Sequence, residues 1–208
     1  MKALLLAAGL GTRLKPITDV LPKCLAPING TPLLGYWLDT LRHSQVKKTL
    51  INLHYHHEVV KKYLSHSKRA DFFKTVYEPE LLGTGGTLLK NRDFFGNDPV
   101  MLIHADNLSS FSADEFIRAH RARPKGCVMT MMTYESQEPS TCGIVELDRD
   151  GVVKTFHEKV KSPPGNQANA AVYIVEPEMF RFLESLKKEK IDWSTEVIPH
   201  FMGKIFTF

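Results

Sequence analysis

Three stretches of this sequence carry residues that could do chemistry. The first is Ala8-Gly9-Leu10-Gly11-Thr12-Arg13, followed at a distance by Pro22-Lys23. Glycine lets backbone N–H groups turn inward and approach a ligand closely. Several such groups at the carboxyl end of a strand form an anion-binding nest, and Arg13 and Lys23 add positive charge. The second stretch runs from Glu78 through Gly83-Thr84-Gly85-Gly86, where glycines again permit close backbone approach. The third is Asp106, which follows the apolar run Val100–Ala105. Mg²⁺ takes hard oxygen ligands, usually one or two carboxylates plus substrate phosphates, and Asp106 fits that need. Taken singly, the same residues would suit a tight turn with two surface cations, a flexible loop ending in a helix cap, and a turn-capping aspartate.

The elements that must position these residues alternate. A buried strand is expected at Ala3–Ala7, then a Pro-punctuated loop through Pro27. Thr31-Pro32 reads as a helix start, with Thr as cap and Pro in the first helical position. Leu33, Leu34, Trp37, Leu38 and Leu41 give that helix an apolar stripe. Strands follow at Thr49–Leu53, Lys74–Glu78, Val100–Ala105 and near Val128–Tyr134. Helices are expected around Val59–Leu64, at Gly85–Phe94 and at Ser112–Ala122. Gly143–Asp148 and Val152–His157 flank Arg149-Asp150-Gly151, a hairpin signal. Ala168–Val175 reads as a strand, Glu178–Leu186 as a helix, Ser194–Met202 as a short helix, and the chain reaches Phe208 in a strand. Strands separated by helices imply right-handed βαβ units in a mostly parallel sheet. A carboxylate or glycine loop just after such a strand lies where open α/β sheets bind ligands.

Composition narrows the function classes. The chain has 208 residues, 43% hydrophobic and 24% charged, with 27 Lys and Arg against 23 Asp and Glu. This is an ordered globular composition, with room for a single domain over residues 1–208. The net charge of +4 suits anionic small molecules better than a nucleic acid, which would call for a dense basic stripe. No run approaches the ~20 apolar residues of a membrane span. Three scattered cysteines, with no C-x-x-C pair, argue against a disulfide framework and a zinc site, so a reduced cytoplasm is the expected location. His54, His56 and His57 lack a clear fourth ligand and are expected to be solvated or structural. A homo-oligomer is allowed by the sequence but not specified by it.

The phosphate loop is neither G-x-x-x-x-G-K-S/T nor G-x-G-x-x-G, because Leu14 stands where the third glycine would be and Pro16 and Pro22 delay any helix. The longer string decides. Leu6-Ala7-Ala8-Gly9-x-Gly11-Thr12-Arg13, then Pro22-Lys23-x-Leu25-x-Pro27-Ile28, strongly resembles the signature of sugar-1-phosphate nucleotidyltransferases. The resemblance continues through Leu82-Gly83-Thr84-Gly85-Gly86, Ala105-Asp106, Gly143-Ile144-Val145, Phe156-x-Glu158-Lys159 and Asn169-x-Ala171-x-Tyr173. It implies a Rossmann-like three-layer α/β fold with a mostly parallel sheet and a small antiparallel insertion. It also implies that Ala8, Gly9, Gly11, Thr12 and Arg13 hold a nucleoside triphosphate and that Lys23 contacts its phosphates. Gly83 and Thr84 would lie over the base, and Asp106 would bind Mg²⁺. On the acceptor side, Gly143, Glu158 and Asn169 would bind a sugar 1-phosphate, with Lys159 on its phosphate. Cys142 for an aromatic residue, Val160 for proline and Ala171 for glycine depart from the family pattern and point to a changed sugar pocket.

Glu78 lies five residues before Gly83, where relatives using thymidine triphosphate typically carry glutamine. A carboxylate only accepts hydrogen bonds. Guanine offers N1–H and an amine side by side, so Glu78 favours GTP. The implied reaction is an in-line attack of a sugar phosphate on the α-phosphorus, releasing pyrophosphate, with catalysis by positioning and charge neutralisation. Arg13, Lys23, Asp106 and Lys159 are the expected catalytic groups. A uridylyl- or thymidylyltransferase is the nearest alternative. A nucleotide-sensing regulatory relative without turnover is the next. A dinucleotide-dependent oxidoreductase fails on the glycine pattern. Relatives of this kind carry a late W-x-D-I-G-T-like element with a second metal carboxylate. Nothing after Lys204-Ile205-Phe206-Thr207-Phe208 supplies it, so the sequence is expected to be a shortened chain that binds nucleotide better than it turns it over.

Overall fold

The computed structural model describes residues 1–67 and 71–208. They form two compact units, one of residues 1–81 with 100–114 and the other of residues 82–99 with 115–208.

The first unit is a parallel sheet with helices. Its strands are β1 (Lys2–Leu6), the short pair β2 (Pro27–Ile28) and β3 (Thr31–Pro32), β4 (Thr49–Leu53), β5 (Phe73–Tyr77) and β6 (Val100–His104). β1 pairs in parallel with both β4 and β6, and β5 pairs in parallel with β4, giving the spatial order β5-β4-β1-β6. Ala3, Leu4, Leu5, Ile51, Leu53 and Met101–Ile103 are buried to the last percent. Helices cover both faces of such a sheet, so its strands read as continuous apolar runs and not as alternating ones. The chain leaves β1 for β4 on one side and later returns to β6 on the other. The strand order therefore reverses between β1 and β6, and that reversal opens a crevice at their carboxyl ends.

Helix α1 (Leu33–Arg42) buries Leu33, Leu34, Trp37 and Leu41, and α2 (His57–Ser65) buries Val60 and Leu64. The expected helix start at Thr31-Pro32 is corrected: Thr31 pairs with Ile28 and Pro32 with Pro27 in a two-stranded ribbon, and α1 begins at Leu33. The cause is the turn between them. Asn29 and Gly30 both have positive φ, 48° and 80°, which is the Asn-Gly hairpin signature.

The second unit holds β7 (Met129–Glu135), β8 (Gly143–Leu147), β9 (Val153–Glu158), β10 (Gln167–Val175) and β11 (Ile205–Thr207). β7 lies between β11, parallel to it, and β10, antiparallel to it. β8 and β9 form the expected hairpin, and β8 joins β10 through Ile144 and Ala168. Asp148 closes the hairpin turn, its carboxylate accepting the N–H groups of Asp150 and Val152 at 2.9 Å each. The helices are α3 (Gly83–Lys90), α4 (Arg92–Phe95), α5 (Ala113–Ala122), whose residues from Glu115 onward belong here, α6 (Met179–Ser185) and α7 (Ile198–His200). The helix expected over Gly85–Phe94 begins two residues earlier and divides at Asn91. The short helix expected at Ser194–Met202 is a single wide turn over Trp193–Val197 followed by α7.

One buried polar network braces this unit. His120, 2% exposed, shares its Nδ1 with the Thr130 hydroxyl at 2.7 Å and its Nε2 with Glu176 at 3.1 Å. Arg123 also donates to Glu176. Burial, with Arg123 and Arg121 nearby, holds the imidazole neutral and pushes its pKa down to about 3. Arg123 supplies the charge that Glu176 needs, so the neutral ring donates from Nε2 and accepts at Nδ1.

Candidate functional site

In the first unit, the crevice between β1 and β6 is built from the loop that follows each strand. The Ala7 N–H, at the root of the first loop, donates to Asn52 Oδ1 at 2.8 Å. Gly9 is exposed, with open space where a Cβ would project. Gly11 has φ +63°, and its carbonyl accepts from the buried Thr18 hydroxyl at 2.8 Å. Only glycine adopts that backbone without strain, and a Cβ there would also lie 2.8 Å from Thr18 Cγ2 and 3.0 Å from Lys23 Cβ. Thr12 and Arg13 follow in a single exposed 3₁₀ turn. Lys23 begins another, after the buried Pro22.

Lys23 and Asp106 meet at the crevice. The ammonium donates to Asp106 Oδ2 at 2.9 Å. Partial burial works against ionisation of the Asp106 carboxyl, but the hydrogen bond and charge of Lys23 outweigh it and hold the carboxyl below its usual range. The aspartate is fixed from both sides in sequence. Ala105 N–H extends the sheet to Leu6 O at 3.1 Å, and the Trp37 indole N–H donates to Asn107 O at 2.8 Å. The sequence read Trp37 as a core residue only. Its second function, tying α1 to the loop that carries Asp106, has no signal in helical spacing.

Asp106 offers one hard oxygen donor. Among the described residues no group of three His, Cys, Asp or Glu side chains could hold a metal ion. That donor set fits Mg²⁺ shared with substrate phosphates and not a closed protein cage. The three histidines are engaged elsewhere: His54 with Glu78 O at 2.7 Å, His56 with Asp19 O at 3.2 Å, and His57 with Glu58 at 2.8 Å.

Glu78 directly follows β5 and is 1% exposed. Its N–H donates to Leu53 O at 2.8 Å, and its Oε2 accepts from Asn52 Nδ2 at 3.2 Å. Oε1 is buried without a hydrogen-bond partner. In this structure a base could reach that oxygen only after its cover moves.

In the second unit, the glycines of the Gly83–Gly86 stretch make room for the protein's own chain. A Cβ on Gly83 would lie 2.5 Å from Ile191 O, and one on Gly86 would lie 2.0 Å from Glu189 O. Gly83 also has φ +70°. Gly85 N–H donates to Ile191 O at 3.1 Å, and Ile191 N–H donates to Leu82 O at 2.9 Å. Thr84 is largely buried. Close backbone approach is therefore real here, but the partner is the 189–191 segment.

The acceptor-side residues gather on β8, β9 and β10. Gly143 pairs with Glu158 across the hairpin. The space above Gly143 is filled by the Phe156 ring, 2.6 Å from a built Cβ, and by Glu158 Oε2, at 2.9 Å. Lys159 has φ +49°, and its ammonium pairs with Glu158 at 3.1 Å. Asn169 sits at an irregularity in β10. Its amide donates to the Tyr173 hydroxyl at 2.7 Å and its oxygen accepts the Ala171 N–H at 2.9 Å, with Ala171 held at φ +56°. Burial pushes the Tyr173 phenol up strongly, so it stays neutral. Asp192 is used as a cap, accepting the N–H and hydroxyl of Thr195 at 2.8 Å each.

A parallel sheet whose strand order reverses beside a glycine loop, a lysine and an aspartate defines an α/β protein of the open-sheet class, in which ligands bind at the carboxyl ends of the strands. The particular family follows from comparison. The nucleotidyl transferase family profile matches residues 2–204, and the chain belongs to that family. It is 33% identical over 205 residues to the probable mannose-1-phosphate guanylyltransferase 1 of Oryza sativa subsp. japonica, covering 96% of this chain and 55% of that one. It is 30% identical over 224 residues to the UTP--glucose-1-phosphate uridylyltransferase of Synechocystis sp., covering 100% of this chain and 57% of that one. The chain thus spans little more than half the length of the curated relatives it matches. The crystal structure of HddC from Yersinia pseudotuberculosis complexed with GMP-PN shares its fold, with a TM-score of 0.81 at 22% identity over 100% of this chain and 89% of that one. No helix among the described residues is long and apolar enough to cross a membrane.

Proposed function

We propose that this protein transfers a nucleotidyl group from a nucleoside triphosphate, GTP by preference, to a sugar 1-phosphate, releasing pyrophosphate. The observation that carries the reading is the Lys23–Asp106 ion pair at 2.9 Å, set where the strand order reverses beside an open glycine loop. An ammonium and a carboxylate held together there suit a triphosphate and its cation: the phosphates take the lysine, and the carboxylate is released to the metal.

Ala8, Gly9, Gly11 and Thr12 would cradle the phosphates with backbone N–H groups, and Arg13, exposed on its turn, would neutralise the leaving pyrophosphate. Lys23 would stabilise charge developing at the α-phosphorus. Asp106 would hold Mg²⁺, which when bound supplies charge neutralisation at the phosphate oxygens. On the acceptor side, Glu158 and Asn169 would bind sugar hydroxyls beside Gly143, and Lys159 would turn from Glu158 to the acceptor phosphate. Gly83 and Thr84 would pack over the base. A sugar phosphate is ionised near neutral pH, so no general base is needed.

The preference for GTP rests on Glu78, whose unpartnered buried Oε1 lacks a donor that guanine could provide. The guanylyltransferase named above is in keeping with it. The uridylyltransferase relative supports the alternative nucleotide. A pyrophosphate-release and nucleotide-binding screen of four nucleoside triphosphates against a panel of sugar 1-phosphates tests both. Selective binding and turnover of GTP is expected, and preference for UTP or dTTP would overturn the Glu78 argument.

A further inference from the structure

Asn52 is buried at the carboxyl end of β4, next to β1 on one side and β5 on the other. It carries both an acceptor and two donors, and the structure uses them in opposite directions. Its Oδ1 receives the Ala7 N–H at 2.8 Å, at the root of the phosphate loop. Its Nδ2 donates to Glu78 Oε2 at 3.2 Å. The amide orientation follows from its partners, since a backbone N–H needs an acceptor and a carboxylate needs a donor.

Glu78 is gripped by three consecutive residues of one strand end. Leu53 O takes its N–H at 2.8 Å, His54 Nδ1 lies 2.7 Å from its carbonyl oxygen, and Asn52 takes its side chain. The backbone contacts fix where the residue is. Among the described residues, Asn52 is the side chain shown donating to the carboxylate, and so it sets which way the carboxylate faces and which of its oxygens is left for another donor. The oxygen left over is Oε1, buried and without a hydrogen-bond partner.

We infer that Asn52 is a positioning residue for nucleotide selection: one amide sets the first N–H of the phosphate loop and the carboxylate facing the base. The inference rests on reading Glu78 as the group that meets the base. A hydrophobic side chain at 52 would leave the Ala7 N–H unanswered and free the carboxylate to rotate, so the site would lose its ability to recognise a donor at a fixed place.

Calorimetric binding of GTP and of ITP, which lacks the guanine 2-amino group, tests it in the wild type, N52L, N52S and E78Q, with melting temperatures recorded alongside. A single charge-assisted hydrogen bond corresponds to about tenfold in affinity. The GTP-to-ITP affinity ratio is expected to fall about tenfold in E78Q and by a similar factor in both N52L and N52S. Two Asn52 variants are used because the larger could fail to fold. A purely structural role would weaken both nucleotides alike and keep the ratio. A ratio lost in E78Q but kept in both Asn52 variants overturns the Asn52 inference alone. A ratio kept in E78Q overturns the base reading of Glu78 and the Asn52 inference with it.

Discussion

The two glycine-rich stretches of this protein are written almost alike and are used in opposite ways. Around Gly9 the backbone stands in open space, flanked by the exposed Leu10, Leu14, Ile17 and Val20. Around Gly83, Gly85 and Gly86 the missing side chains are replaced by the backbone of Glu189 and by the backbone and side chain of Ile191. The first stretch spends stability on an exposed, reachable surface, whereas the second converts small residues into tight packing. A glycine cluster thus signals close approach, but the approaching partner can be a ligand or another part of the same chain.

Substitutions can break or sharpen this contrast. The largest effect is expected on the open side. Lys23→Ala removes the charge proposed to face the reacting phosphates and should lower pyrophosphate release by about 10²- to 10³-fold, the usual cost of one transition-state donor. Its melting temperature should stay within a few degrees of the wild type, and a variant that kept full turnover would remove Lys23 from the chemistry. On the packed side, Gly86→Ala drives a methyl group into Glu189 O, 2.0 Å from the built Cβ. Overpacking against backbone costs about 3 kcal/mol, measurable as a shift in the denaturant midpoint. An unshifted midpoint would show that the 189–191 segment can withdraw.

The third effect is on pH dependence, again on the packed side. His120 has a folded pKa of about 3, against ~6.5 when unfolded. Above pH 6.5 the ring is neutral in both states and contributes nothing to the slope. As pH falls from 6.5 towards 3, the unfolded chain takes up a proton that the fold refuses, so stability should drop. Denaturant midpoints at pH 7 and pH 5 measure this, and His120→Gln should flatten the difference. Next, Gly9→Ala should leave the midpoint within about 0.5 kcal/mol while weakening nucleotide binding in a titration. Equal loss of stability at Gly9 and Gly86 would abolish the contrast. A change of opposite sign is expected at Ala171, where φ is +56°. Gly there relieves left-handed strain and should raise stability by about 1 kcal/mol.

Much of the fold was legible because its signals are local. β1, β4 and β6 are runs buried on both faces, so their apolar continuity marks them without ambiguity. The hairpin of β8 and β9 announces itself through Asp150-Gly151. The helix start at Thr31 was misplaced because two valid local signals overlap there. Thr-Pro is a good N-terminus, but Asn29-Gly30 two residues earlier is a stronger hairpin turn, and the ribbon it makes consumes Thr31 and Pro32. The sequence also offered no way to foresee that Trp37, Asn52 and His54 serve the candidate site. Each of their partners lies 24 to 70 residues away in sequence.

By itself the sequence determined the family, the strand-and-loop order, and which residue types stand at the ends of β1, β5 and β6, because motif spacing and apolar continuity are properties of a linear chain. Only the tertiary structure decided that Lys23 neutralises Asp106, that Asn52 holds both Ala7 and Glu78, and that the second glycine cluster packs against Glu189 and Ile191. A hydrogen bond or a van der Waals contact depends on a few ångströms in space, and residues far apart in the chain reach that separation only when the sheet order brings their strand ends together.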